Sequence, residues 1–378
     1  MLVPFLPTLR ICKLELLRGH VTILASADNV SDGRLHRLTN ALLKNQLTVD
    51  IWALGNSGDA PHGATFHRAP GGKSKFSRVL RDLTLPTKAT GEIVMVISPD
   101  LIPLTYLITR LRRQRLIVDV YENYPRLLKD RAWAKGLIGF MAKAIAKAAT
   151  FFAARAELTT VADIQVPPFK ARNRLVIKNL PDSSIITLSG ELDQKPRALY
   201  VGDVRKSRGL HKMLAVAEIA TDWNFDIVGN VSKLDLEFLE NWQKISPASN
   251  RVHFHGRLTP IESWKFAKGA WVGLTLLEPT PAFIEAVPSK LYEYAACGLA
   301  TISTSLPRCI ELIAASGGGA IADSPEEIAR LLSNWQAEPS ELLKIRASAL
   351  NWAQNELNSE AQYGQFVAAV KSLTRPAR

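Results

Sequence analysis

Two runs of alternating strand-like and helix-like segments, set one after the other, constrain what this 378-residue chain can fold into more than any other feature. In the first run "VTILAS" (21–26) reads as a buried strand, "GRLHRLTNALLKN" (33–45) as a helix with Leu35, Leu38, Leu42 and Leu43 on one face, and "VDIWAL" (49–54) as the next strand. "EIVMVIS" (92–98), a helix over 104–114 and "LIVDVY" (116–121) continue it, and a long helical stretch runs from Lys135 to Glu157. A polar, proline-containing stretch, 179–197, reads as a linker. Beyond it the alternation restarts with "ALYVGDV", "HKMLAVAEIA", "FDIVGN", "VHFHG", "WVGLTLL", a helix from Ser289 and "LATIST". Strands separated by helices of ten or more residues pair in parallel, because only a crossover returns the chain to the same end of a sheet. The pattern predicts an α/β protein of two Rossmann-like, doubly wound parallel-sheet domains facing across a cleft, with ligands beyond the carboxyl ends of the strands.

Composition agrees. Hydrophobic residues make up 47% of the chain, enough for two cores, and the length exceeds that of one common domain. The three cysteines, Cys12, Cys297 and Cys309, show no C-x-x-C spacing. Neither a disulfide framework nor a structural zinc site is indicated, and a reducing cytoplasm fits. No apolar stretch approaches the roughly 20 residues of a membrane-spanning helix. Residues 1–20 are apolar and basic, broken by Pro4 and Pro7 and without the long apolar core of a secretory signal; they read as an interfacial anchor or an extension. Charge is uneven: residues 1–180 hold 27 Lys and Arg against 13 Asp and Glu, net +14, and residues 181–378 hold 20 against 22. That asymmetry points to an anionic partner for the first domain, a membrane surface or nucleic acid.

Several chemistries are excluded by spacing. "GGKS" at 71–74 echoes a phosphate loop, but the first glycine of that motif would fall on His67 and no strand is read before it. No G-x-G-x-x-G occurs, against a nicotinamide or flavin site, and no two aspartates stand two apart to clamp a metal. The histidines lack metal-ligand spacing, and His253 and His255 read as structural. The basic run "RLRRQR" (110–115) has no interleaved aromatics to stack bases, against nucleic acid.

"EAVPSKLYEYAACGLATIST" (285–304) carries the most chemistry. Pro288 and Ser289 start a helix and Gly298 stops it, so free N–H groups and a positive dipole end lie at Ser289 and Lys290, where an anion can sit. An ordinary amphipathic helix with Lys290 and Glu293 in water has the same pattern.

With "ALYVGDVRKSRGLHKML" (198–214) before it and "VHFHGRL" and "WVGLTLL" between, the second half resembles the donor-binding domain of GT-B glycosyltransferases of family 4. "SDGRLHRLTNALLKNQLTVDIWAL" resembles the family's first loop and helix, "DVYENYP" its acceptor-side loop, and "NWAQNELNSEAQYGQFVAAV" the C-terminal helix that crosses back to the first domain. The resemblance implies an extension over 1–20, an acceptor domain over 21–180, a linker over 181–197, a donor domain over 198–345 and a returning helix over 346–378. It implies a metal-independent, retaining transfer of a sugar from a UDP- or GDP-type nucleotide sugar to a saccharide or polyprenyl-linked saccharide, in cell-envelope or exopolysaccharide synthesis, without a cofactor. Arg205, Arg208 and Glu285 are the implied catalytic residues; Gly202, Gly256, Arg257, Ser289, Lys290 and Glu293 the donor-binding ones; Asp32, Gly33, Arg34, Tyr121 and Glu122 the acceptor-side ones. The chain departs from the family's pattern at Arg208, where lysine is usual, at Tyr121, in place of histidine, at Gln46, in place of glycine, and around Glu285, where Val287 and Pro288 replace an aromatic-glycine step. An inverting mannosyltransferase-like enzyme, an epimerase of the same architecture and a non-catalytic GT-B partner subunit are the alternatives. Lys143 and Lys147, four apart on the helix over 135–157, are expected to contact an anionic membrane, placing the protein on the cytoplasmic face of the cell membrane; a core helix with its lysines in water fits the same spacing.

Overall fold

A computed structural model describes residues 17–70, 75–128, 134, 136–182 and 185–374. Residues 1–16 of the basic extension and the GGKS echo lie outside them. The chain divides into two compact units: the described residues of Met1–Pro125, Trp133–Ile177 and Tyr363–Arg378 form the first, and those of Arg126–Ala132 and Lys178–Gln362 the second.

The first unit holds a seven-stranded sheet of β1 (Leu17–Asn29), β2 (Thr48–Leu54), β3 (Thr65–Arg68), β4 (Gly91–Val96), β5 (Arg115–Val120), β6 (Leu158–Val161) and β7 (Arg174–Val176), in the order β3-β2-β1-β4-β5-β6-β7. The second holds six strands, β8 (Arg197–Val201), β9 (Asn224–Val228), β10 (Val252–Gly256), β11 (Val272–Thr275), β12 (Ala300–Ser303) and β13 (Gly319–Ile321), in the order β10-β9-β8-β11-β12-β13. Every pairing is parallel, and both sheets reverse direction of winding beside their first strand, the switch point at which such sheets bind ligands. β1 begins four residues earlier than the apolar run, because Leu17 pairs with Gly91 of β4.

Two expectations shift. The C-terminal region is two helices: Pro339–Glu356 belongs to the second unit, where Arg346 is buried and donates to Gly298 O and Ser189 Oγ, and only the chain from Tyr363 on joins the first unit, seating Phe366, Val367 and Val370 in its core. The return lies at 363 rather than 346 because Ala349 and Ala353 are small enough to pack on Ala295 of the second unit. The "SDGR" loop also has internal work. Asp32 caps the helix Gly33–Lys44, its side chain accepting from the backbone of Arg34 and Leu35 at 2.9 Å. Arg34 points inward, bidentate to Asp119 at 2.7 Å and donating to Ile177 O. Its guanidinium is thus committed to a buried ion pair and not to an acceptor. Thr160 completes the cluster by donating to Asp119 at 2.6 Å.

Gln46, where glycine was expected, keeps the glycine's conformation with φ +65°. It follows the helix end at Asn45: its N–H donates to Leu43 O and that of Leu47 to Leu42 O, the paired bonds of a Schellman cap. A left-handed L-residue costs about 1–2 kcal/mol, offset in part by the greater unfolded-state freedom of glycine. Gln46→Gly is therefore expected to stabilise the protein by about 0.5–1 kcal/mol, read as a raised urea midpoint at constant slope. A lowered midpoint would mean that Gln46 sits in that conformation without strain.

Candidate functional site

Three strands of the second sheet end in a glycine at the same edge: Gly202 after β8 (φ +140°), Gly229 after β9 (φ +147°) and Gly256 closing β10 (φ +67°). They lie close together. Gly229 N donates to Gly256 O at 2.8 Å, and a Cβ on Gly229 would sit 1.9 Å from Gly202 O. The edge is therefore a floor of bare backbone. Of the three, Gly229 was not foreseen; the signal was present in "FDIVGN", a glycine directly after a buried strand.

Lys290 stands over this floor. A Cβ on Gly202 would lie 2.6 Å from its Nζ, so the glycine lets the ammonium sit directly on the backbone and a side chain there would have to displace it. The lysine enters from the helix Ser289–Cys297, whose first turn has no side-chain cap and whose end is closed by Gly298 at φ +70°. Tyr294 anchors that helix. Its ring covers Gly273 of β11, where a Cβ would be 2.5 Å away, and its hydroxyl accepts from Val201 N at 3.3 Å and reaches the carbonyls of Leu199 and Leu274. One tyrosine thus ties the helix start to β8 and β11, on the two sides of the switch point.

Arg208 comes from the loop after β8, a single 3₁₀ turn (Lys206–Arg208) closed by Gly209, whose φ is +92° and where a Cβ would meet Leu276 O at 2.4 Å. Its guanidinium would be 3.8 Å from a Cβ on Gly202, and it lies 5.9 Å from the ring centre of Phe283. Its buried Nε has no hydrogen-bond partner among the described residues, so a donor is left for something else. Burial of the Lys290 ammonium, then Arg208, push the lysine pKa down to about 8, Arg205 acting in the same sense and Glu293 and Asp203 against it. Glu293, one turn into the helix, accepts weakly from Ser289 Oγ at 3.4 Å. Gly202, Arg205, Arg208, Lys290 and Glu293, separate in sequence, thus meet in one place; Gly256 belongs to the floor and Arg257 is exposed just past it. Glu285 lies in the turn before the helix and is ion-paired with Arg126. His255 is held by Asp226 at 2.6 Å, which also takes Arg197 at 2.7 Å, a structural use. Among the described residues no cluster of three or more metal-ligating side chains occurs.

The first unit has its own polar cluster at the matching edge, which sequence reading missed except for Tyr121. Asp28 accepts from Ser98 Oγ at 2.7 Å and from the Tyr121 hydroxyl at 2.9 Å, and Asp100 from Ser26 at 2.9 Å and Arg78 at 2.8 Å. Burial raises the Asp28 pKa against those hydrogen bonds, and burial, then Asp100, raises that of Asp82 to about 6. Burial, then Asp28, raises Tyr121, so its hydroxyl stays a donor. Glu122 is exposed beside it, and Gly33 opens the first helix.

Residues 186–352, which lie within the second unit, match the family described as glycosyl transferases, group 1. No curated protein sequence matches the chain. Among solved structures it is similar to sucrose-phosphate synthase from Thermosynechococcus elongatus (TM-score 0.73, 13% identity, covering 94% of this chain and 98% of that one). It is also similar to HepE from Anabaena in complex with UDP-glucose (0.70, 12%, 93% and 99%) and to WaaG, a glycosyltransferase involved in lipopolysaccharide biosynthesis (0.63, 14%, 92% and 98%). At these identities the likeness establishes the fold, GT-B, with its two parallel-sheet units.

The crowded cations have a measurable cost. The Lys290 pKa of about 8 lies below the ordinary 10.5, so the folded state disfavours its charge; that penalty is full below pH 8 and fades between 8 and 10.5. Lys290→Met is expected to raise the melting temperature of the ligand-free protein at pH 7 by about 2 °C or more, the gain shrinking as the pH climbs towards 10.5. A lower melting temperature at pH 7 would show that Glu293 more than compensates the lysine.

Proposed function

We propose that the protein transfers a sugar from a UDP-sugar to a saccharide or lipid-linked saccharide acceptor, with retention of configuration. The observation that carries this reading is the convergence of Lys290 and Arg208 on the side-chain-free floor at Gly202, with Glu293 one turn along the same helix. Two cations, an uncapped helix start and a bare backbone edge suit a diphosphate. UDP and UDP-glucose are the ligands of the structurally similar HepE, which supports uridine as the base.

As the bond from the sugar's anomeric carbon to the diphosphate oxygen breaks, the electron pair stays on the diphosphate. Arg208, Lys290 and Arg205 are placed to take up that growing charge without reorganising, which is where most of the rate would come from. The low pKa of Lys290 fits a group that waits for its anion: arrival of the diphosphate supplies the missing counter-charge. Glu293 accepts the ribose hydroxyls, and Glu285, once freed from Arg126, faces the donor sugar. In the first unit the Asp28–Tyr121 and Asp100 carboxylates offer acceptors for the hydroxyls of an incoming saccharide.

Release of UDP from UDP-sugars, with and without oligosaccharide acceptors, tests the reading; tight UDP binding without any release would make the chain a non-catalytic subunit instead. Arg208→Ala is expected to lower turnover by two orders of magnitude or more, about 3 kcal/mol of lost transition-state stabilisation. A loss under about threefold at saturating donor would move the diphosphate elsewhere. Glu293→Ala should leave that step less affected and weaken UDP binding by about 10- to 100-fold, as expected for charge-assisted hydrogen bonds to two hydroxyls; calorimetric titration with UDP reads it directly.

A further inference from the structure

The helix Gly136–Ala153 is packed inside out. A helix lying on a sheet ordinarily buries its large apolar residues and shows its small or polar ones. Here the buried stripe is Gly139, Ala146, Ala149 and Ala153, and Leu137, Ile138, Phe140, Met141, Ile145 and Phe151 face outward, Leu137 at 75% and Phe140 at 70% exposure. The neighbouring helix Ile102–Arg112, which meets it through Tyr106 and Phe152 with ring centres 4.9 Å apart, adds Leu107 and Leu111 to the ridge, the latter 79% exposed. With 18 residues and mean hydropathy 1.4, Gly136–Ala153 is long and apolar enough to cross a membrane, contrary to the expectation that no stretch comes close. Its setting favours lying on one. It packs along its alanine stripe, carries Lys143 and Lys147 in its middle, and leads within a few residues into β6, which is paired to β5 inside the sheet.

The ridge ends in a cationic cup. Tyr106, Arg110, Arg155, Lys170 and Arg172 line a shallow cavity of about 590 Å³. Buried Glu157 takes Arg110 at 2.5 Å and Arg172 at 3.5 Å, and with Arg155 and Lys170 beside them the four cations outnumber this carboxylate by three charges. Arg155 lies 3.5 Å over the ring of Phe151, the residue at which ridge and cup join. On a helix of 100° per residue Lys143 and Lys147 fall together on one flank of the ridge, where their stems can lie along apolar surface with the charges raised.

We propose that this face docks the protein on an anionic lipid bilayer, the ridge entering the boundary between headgroups and acyl chains and the cup holding a lipid headgroup phosphate. Charge complementarity selects that occupant: a second copy would bring two positive cups together, and a neutral partner would leave them unanswered. The docking is read without donor or acceptor, so it stands apart from the transfer reaction.

Sedimentation of the full chain with liposomes tests it, using phosphatidylcholine alone and phosphatidylcholine mixed with phosphatidylglycerol. The protein is expected to pellet with the mixed liposomes and at least about tenfold more weakly with neutral ones. Leu137→Glu/Phe140→Glu, in the ridge, and Arg155→Glu/Lys170→Glu, in the cup, should each weaken binding to the mixed liposomes by about tenfold or more while keeping the circular dichroism spectrum and melting temperature of the parent. Equal binding to both liposomes, or full binding by either variant, would overturn the proposal. So would release by millimolar inorganic phosphate, which would make the cup a site for a soluble anion, or a dimer of the parent that the ridge variant converts to monomer.

Discussion

In a sheet whose strands all run one way, every strand stops at the same edge, and whatever the chain does chemically has to be assembled there from the few residues that follow each strand. Both units obey this constraint and answer it differently. In the second, β8 and β9 are followed by glycines and β10 ends in one, so the edge is stripped of side chains and cations reach it from the side, Lys290 on a helix start and Arg208 on a 3₁₀ turn. In the first, the corresponding edge keeps its side chains: Asp28 accepts from Ser98 and Tyr121, and Asp100 accepts from Ser26 and Arg78. One edge thus presents bare backbone and cations, and the other carboxylates and hydroxyls.

The anchoring of Lys290 shows how far a local feature can depend on distant packing. The ammonium is held among arginines although its charge is disfavoured there, and it stays because the helix that carries it is pinned by Tyr294 to three strand carbonyls and amides and by Gly273, which leaves space for the ring. Stability given up at one residue is offset by packing at others, a common arrangement where binding groups must be preorganised.

Much of this was legible in the sequence, and what was not has physical reasons. Nine of the strands announce themselves as apolar runs, β11 and β12 despite being only four residues long, whereas β3, β6, β7 and β13, three or four residues long, are too short for a period to show. The helix Ser289–Cys297 was bounded by its proline and glycine signals, since capping is a local matter. Arg34 was misplaced among acceptor-side residues because nothing in "SDGR" reveals that Asp119, 85 positions away, waits inside the sheet for its guanidinium. Asp28 and Asp100 went unseen for a similar reason: a carboxylate after a strand looks like any solvated turn until the neighbouring strand supplies a serine or tyrosine. The inverted helix could be read only in part, since its alanines and its large apolar residues both count as hydrophobic and composition does not say which face is inside.

The glycine floor also limits how this site can change over evolutionary time. At Gly229 the backbone angle and the carbonyl of Gly202 leave no space for a side chain, and at Gly202 a side chain would be strained and would displace the Lys290 ammonium. Change at this edge is therefore easier on its sides, at positions such as Phe283 beside Arg208 or the exposed Arg257, than on its floor. The edge has a part where a side chain is costly and a part where one is not, and the division between them is drawn by backbone geometry.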